Sequence, residues 1–152
     1  MKIVGSQLVL RTVETIFLNK VQPIDQKNLL KQLIPLNNAP KILKPDCKIN
    51  WESKSKDIYN KIRGLSPQPA ANTILISDKA VEFYVKIFKA KAELYQHQAI
   101  AGQITTDHKS FLKIATTDGY VYLTEIQVSG KTKMSILEFL RGYPVNSNWK
   151  AF

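Results

Sequence analysis

The sequence predicts an α+β fold that is mainly β: a small Greek-key barrel with flanking helices, preceded by an N-terminal helix and a linker. Three observations carry this reading. Short strand-like runs separated by tight turns fill residues 74–128. The alternation of apolar and polar residues slips by one at Ile87-Phe88, where a bulge would bend the sheet towards closure. A strongly signalled helix follows at Ser135.

A chain of 152 residues fits one domain, or one with an appendage, and can bury roughly 68–70% of its unfolded surface. Cys47 is the single cysteine, so an internal disulfide and a zinc site built on cysteines are both excluded. No apolar run reaches membrane-spanning length, and Met1 is not followed by a signal-peptide pattern. These features predict a soluble, cytoplasmic protein with no membrane partner. The formal charge of +10 favours polyanions through long-range attraction and counterion release. Residues 1–52 hold eight Lys/Arg against four Asp/Glu and residues 53–152 fourteen against eight. The excess therefore belongs to a folded surface more than to a tail, although a generically basic protein would share the composition.

In chain order, residues 3–18 read as a helix whose Val4, Leu8, Val9, Val13, Ile16 and Phe17 make a wide apolar face. Gly5 weakens its first turn, and no capping residue precedes Ile3, as if the helix were cut from something larger. Residues 23–48 read as a linker: Pro23, Pro35, Pro40 and Pro45 interrupt it, Asn37-Asn38 signals a turn, and only Leu29, Leu30, Leu33 and Ile34 suggest a helical turn or two. Beyond Trp51, a helix capped by Ser53 places Ile58, Ile62 and Leu65 on one stripe and ends at Gly64, Pro67 and Pro69. Ile74-Leu75-Ile76 opens the sheet. Val81, Phe83, Val85 and Ile87 then face one way, and after the slip Ala90, Ala92 and Leu94 form the apolar set. Further strands are predicted from Ile100 to Ile104, Phe111 to Ala115 and Tyr120 to Val128, with turns at Asp107-His108-Lys109 and at Asp118-Gly119, the latter a pair that tolerates positive φ. Ser135 and Glu138 form a capping box, and Met134 with Phe139 has hydrophobic-staple spacing.

Nothing in the residues resembles an active site. His97 and His108 lie in polar loops without a second ligand at metal-binding spacing and read as surface histidines. The six glycines are scattered, so no phosphate-binding glycine loop exists. What remains is cationic. Lys86, Lys89 and Lys91 lie along the bent strand, Lys131 and Lys133 in the loop before the last helix, and Lys61 and Arg63 on the first barrel helix. A closed barrel could gather the three groups into one surface that tracks a phosphate backbone, and the bland alternative is a lysine-studded solvent face. Tyr84, Tyr120 and Tyr122 could stack on bases, or could be cross-strand packing.

Four motifs in order, Ile49-x-Trp51, Ile62-Arg63-x-x-x-Pro67-x-Pro69-x-Ala71, Thr117-Asp118-Gly119 and Gln127-x-x-Gly130-Lys131-x-x-Met134-Ser135, together resemble the C-terminal domain of methionyl-tRNA formyltransferases over about residues 49–142. Residues 2–26, with Lys2-x-x-x-Gly5 and Gln26, are similar to the last helix of that family's catalytic domain and the start of its linker. The resemblance implies three segments: residues 1–22 from the end of a catalytic domain, 23–48 as linker, and 49–152 as a tRNA-binding barrel resembling the OB-fold. It implies initiator tRNA and the family's own N-terminal catalytic domain as partners, with 10-formyltetrahydrofolate as formyl donor to the parent enzyme. The family's folate pocket and its asparagine, histidine and aspartate set lie upstream of anything present, so no catalytic residue and no cofactor is expected here. The expected role is to position tRNA through Lys61, Arg63, Lys86, Lys89, Lys91, Lys131 and Lys133. Gln68 and Asn72 stand where aromatic residues are common in the family, and Ala101 where proline is usual. Formyltransferases acting on nucleotide sugars and folate dehydrogenases share the barrel, and the basic excess favours tRNA among these. The apolar N-terminal helix carries a further expectation, an artefactual dimer of the isolated chain.

Overall fold

The computed structural model describes residues 2–25 and 38–152. The helical turn expected at Leu29 to Ile34, and Pro35 and Asn37, lie outside the described residues. The chain divides into two units, residues 1–40 and 41–152.

The first unit carries helix α1, Lys2–Phe17. Its apolar side chains face solvent: Val4 is 70% exposed, Val9 64% and Phe17 83%. The apolar side chains read from the sequence as one face are thus on a helix, and they are exposed.

The second unit opens with a short 3-10 turn, Pro45–Cys47, whose Cys47 already belongs to the buried core. Helix α2, Ser55–Leu65, buries Ile58, Ile62 and Leu65 as their spacing requires. Seven strands follow: β1 Ala71–Ile76, β2 Glu82–Leu94, β3 Ile104–Thr106, β4 Leu112–Ala115, β5 Gly119–Val128, β6 Met134–Ser135 and β7 Lys150–Ala151, with helix α3, Ile136–Gly142, between the last two. All strand pairs are antiparallel, in the order β3-β4-β5-β2-β1-β7, and β6 lies on β5. β5, not the consecutive β3, neighbours β2, so the chain crosses over before the sheet curls. Gln103, just ahead of β3, bridges to Lys150 of β7, and the Ala151 N–H donates to the Gly102 carbonyl at 2.8 Å. This seam makes the sheet a nearly closed, mainly β barrel of OB-like form.

The core inside the barrel joins the α2 stripe to Leu75, Val85, Ile87, Ile114, Val121, Leu123, Ile126 and Phe139. Trp51 is buried against it, and its indole N–H donates to Thr73 Oγ1 at 2.9 Å, while the Thr73 hydroxyl donates to the Phe152 carbonyl at 2.8 Å. The register of β2 against β5 shifts between Ile87 and Lys89 and again between Lys89 and Ala90, which is the bend the phase slip predicts.

Several expectations need correction. Ser53 does not cap α2; the N-cap position is Lys54, which makes no side-chain bond, and the Asp118 carboxylate accepts from the Ser55 N–H at 2.7 Å instead. Gly119 is required by crowding, not by positive φ: a Cβ there would overlap the Glu93 carbonyl. The outer part of β2 is exposed, with Leu94 73% and Val81 before the strand 49% accessible, so neither belongs to the core. Ile100 is 77% exposed, and β3 begins only at Ile104. The capping box at Ser135 and Glu138 is present as read: the Ser135 N–H donates to Glu138 Oε2 at 2.7 Å and the Glu138 N–H to Ser135 Oγ at 3.3 Å.

Candidate nucleic-acid interface

The outward face of the β1-β2-β5-β4 sheet is set by strand alternation. On β2, Val85 and Ile87 are buried and pair with Val128 and Ile126, also buried, whereas Lys86 and Lys89 are exposed and stand opposite Gln127 and Glu125. Beyond the bulge Lys91 pairs with Tyr122, and Tyr122 in turn faces Lys113 of β4. The bulge inserts Phe88 between the two halves of the strand, so Lys89 and Lys91 emerge on the same side as Lys86. The loop before β6 adds Lys131, whose carbonyl accepts from Gln127 Nε2 at 2.8 Å, and Lys133, which forms an ion pair with Glu125.

Five of the seven predicted cations, Lys86, Lys89, Lys91, Lys131 and Lys133, are thus brought together on this face. Lys61 and Arg63 are not among them. They lie on α2, which packs its buried stripe against the inner side of the sheet, and each has local work: Lys61 Nζ donates to the Lys48 carbonyl at 2.5 Å and Arg63 Nε to Asn60 Oδ1 at 3.0 Å. Sequence reasoning misses Lys113, although the alternation Leu112-Lys113-Ile114 could have revealed it; its ammonium stands 3.9 Å from the Tyr120 ring centroid and 5.6 Å from that of Tyr122.

The lysines of the face differ in availability. Glu125 holds Lys89 at 2.7 Å and also Lys133, whose ammonium lies over the Phe88 ring at 4.6 Å. Lys86, Lys91 and Lys131 have no ion-pair partner among the described residues. The tyrosines differ as well. Tyr120 is 8% exposed and covered by Lys113 and by His97, whose ring centroid is 4.4 Å away, so it cannot stack on a base. Burial and the neighbouring Glu93 carboxylate push the Tyr122 hydroxyl up to about 12. Tyr84 alone of the three stands clear, at 58% exposure.

Both histidines are tied to the backbone. His97 Nδ1 accepts from the Ala99 N–H at 3.1 Å, which leaves Nε2 to donate to the Gly119 carbonyl at 2.8 Å, and His108 Nδ1 lies 2.7 Å from the Val145 carbonyl. Among the described residues no three His, Cys, Asp or Glu side chains converge as a metal site. A cleft of about 830 Å³ between Trp51, Ile100, Gln103 and Phe152 has Lys48, Glu52 and Lys150 among its lining residues. No helix among the described residues is long and apolar enough to cross a membrane.

With this geometry in place, the family model "Formyl transferase, C-terminal domain" matches residues 41–144, which is most of the second unit. The chain belongs to the formyl transferase C-terminal domain family. Methionyl-tRNA formyltransferases are similar to it: that of Phocaeicola vulgatus is 39% identical over 146 residues, covering 96% of this chain and 45% of its own length. That of Flavobacterium johnsoniae is 34% identical over 142 residues, covering 91% and 44%. The chain therefore spans about half the length of the curated relatives it matches. A crystal structure of HypX from Aquifex aeolicus, a four-residue variant, superposes with a TM-score of 0.59 at 21% identity over 88% of this chain and 23% of that one, a likeness of fold alone. In this formyl transferase C-terminal domain, then, the cationic strand face is the surface the fold presents and the resemblance leaves to be explained.

Proposed function

We propose that this chain is the tRNA-holding, non-catalytic C-terminal part of a methionyl-tRNA formyltransferase. It binds initiator tRNA in the cytoplasm and orients the methionyl end towards an N-terminal domain that carries the 10-formyltetrahydrofolate chemistry. The observation that supports this best is the row of lysines on the outward strand face, three of them without an ion-pair partner among the described residues. Backbone phosphates are the ligand such a row suits, since ammonium groups read charge and not sequence. The contribution to the reaction is proximity: holding the acceptor end near the formyl donor converts an encounter into an intramolecular step. Lys113 joins the set, while Lys61 and Arg63 contribute to the local fold of α2 and its neighbours.

Titration of initiator tRNA against the chain at several salt concentrations tests the reading. Binding should weaken steeply with salt, and Lys86→Ala, Lys91→Ala and Lys131→Ala should each flatten the log–log slope by about 1. Lys61→Ala should leave the slope unchanged. Salt-insensitive binding, or none at low salt, would sink the proposal.

The exposed apolar face of α1 favours a second reading, in which the chain chiefly buttresses its own catalytic domain. In that case the same titration gives little tRNA affinity, yet adding the chain to a separate N-terminal half restores formylation through Val9, Val13 and Ile16. Self-association of the isolated chain through that face would be a by-product of the missing partner.

A further inference from the structure

On the strand face just described, β1, β2 and the loop after β5 enclose a hollow of about 320 Å³ that includes Asn72, Tyr84, Lys86, Gln127 and Gly130. We infer that this hollow is a subsite for one unpaired nucleotide of RNA, with the base on the Tyr84 ring and its flanking phosphates on Lys86 and Lys131. The inference rests on the proposed RNA-binding role of this face and adds to it a contact that duplex RNA cannot make.

Three features of the hollow carry it. First, an aromatic ring is left open where the rest of the face covers its rings. Tyr84 is 58% exposed, and on its β5 side the hollow is lined by Gln127, by Ser129, whose N–H donates to the Tyr84 carbonyl at 2.9 Å, and by Gly130. Gly130 has φ +76, and a Cβ placed on it would meet nothing within 4 Å, so the hollow is uncrowded at that end. Stacking on such a ring tolerates any base, because every base has a π face.

Second, polar groups able to meet a base edge line the same space. The Asn72 side-chain amide makes no hydrogen bond among the described residues. Gln127 spends its amino group on the Lys131 carbonyl, which fixes the side chain and leaves its carbonyl oxygen as an acceptor. Side-chain amides present a donor and an acceptor side by side, the pattern that base edges match.

Third, the charge is polarised across the ring. Glu82 lies on one side, with the Tyr84 hydroxyl 3.4 Å from its Oε2, and Lys86 lies on the other, opposite Asn72 and Gln127 in the strand register. A neutral base tolerates the carboxylate, whereas a phosphate is driven to the Lys86 and Lys131 side. The site therefore has a direction, which a bare lysine patch lacks.

The test uses the full chain with a single-stranded oligoribonucleotide carrying one 2-aminopurine and, separately, a blunt RNA duplex of the same length. Binding should quench the 2-aminopurine emission. Tyr84→Ala should lower single-strand affinity roughly 5- to 100-fold and abolish the quenching, while duplex affinity stays unchanged and Tyr84→Phe retains both signals. Lys86→Ala should weaken both RNAs and flatten both salt slopes by about 1. If Tyr84→Ala binds the single strand as the parent does, the stacking subsite is wrong although the salt-dependent backbone reading stands. If neither RNA binds at low salt, both fall together.

Discussion

Asp118 caps a helix 63 residues ahead of it in sequence. Its carboxylate accepts the Ser55 N–H, one of the amides that an α-helix leaves unpaired at its start, and this bond is the first reason its pKa lies below the ordinary carboxylate value, with Thr116 also contributing. A carboxylate depressed in the folded state stabilises the fold above its ordinary pKa, and that contribution fades as pH falls through the lower folded value. Asp118→Ala should therefore cost ~1 kcal/mol in urea denaturation at neutral pH, and the gap from the parent should narrow in acid. A gap that stays constant from neutral to strongly acidic pH would remove the charged cap from the account. Read from the sequence, Asp118 is a turn residue and Ser53 the cap, because capping rules look only a few residues ahead. Where the partners are local, as at Ser135 and Glu138, the same rules succeed. His97 and His108 escape for Asp118's reason: the carbonyls they hold belong to Gly119 and Val145, which only the fold brings near.

Strand β2 is the element that builds the cationic face, and its bulge was legible because a period of two exposes any slip. The two-residue strands β6 and β7 were not, since no period can be read from a pair. Pairing decides what the face can offer. Glu125 stands opposite Lys89 in β5 and also holds Lys133, so one carboxylate occupies two of the five gathered cations. Both lysines are exposed, 70% and 45%, against 22% for the shared carboxylate, and ion pairs whose cations are this open to solvent add little to stability. Glu125→Gln should change unfolding free energy by less than about 1 kcal/mol. It should also tighten RNA binding and steepen the salt dependence by about 1 or more, as two ammonium groups become free for phosphates. Unchanged affinity in the variant would mean that Lys89 and Lys133 lie outside the contact. The sequence named those lysines but could not show which were already engaged, because the acid between them lies on another strand.

At the scale of the molecule, closure depends on one crowded point. Gly102 has φ +85, and a Cβ there would overlap the Ala151 carbonyl, so side-chain and backbone objections coincide. Gly102→Ala should cost more than about 2 kcal/mol, read as a lowered midpoint in thermal or urea unfolding. Gly64→Ala is the control: it lies within α2 and its Cβ would meet nothing within 4 Å, so it should be neutral or gain about 0.5–1 kcal/mol. Equal effects from both would show that the seam is not tight. The barrel itself was legible from strand spacing, the capped helix and the bend. Its seam was not, because Gly102 and Ala151 carry no periodic signal and meet only after every other strand is laid down.

That same seam decides when the sheet stops being adhesive. Ile74 and Phe152 exchange backbone hydrogen bonds of 2.9 and 3.1 Å while Ala151 binds Gly102, so residues 150–152 bring the outermost strands together. Until those residues are in place, β1 and β3 are two bare edges of an unfinished sheet, the kind of edge on which neighbouring chains pair.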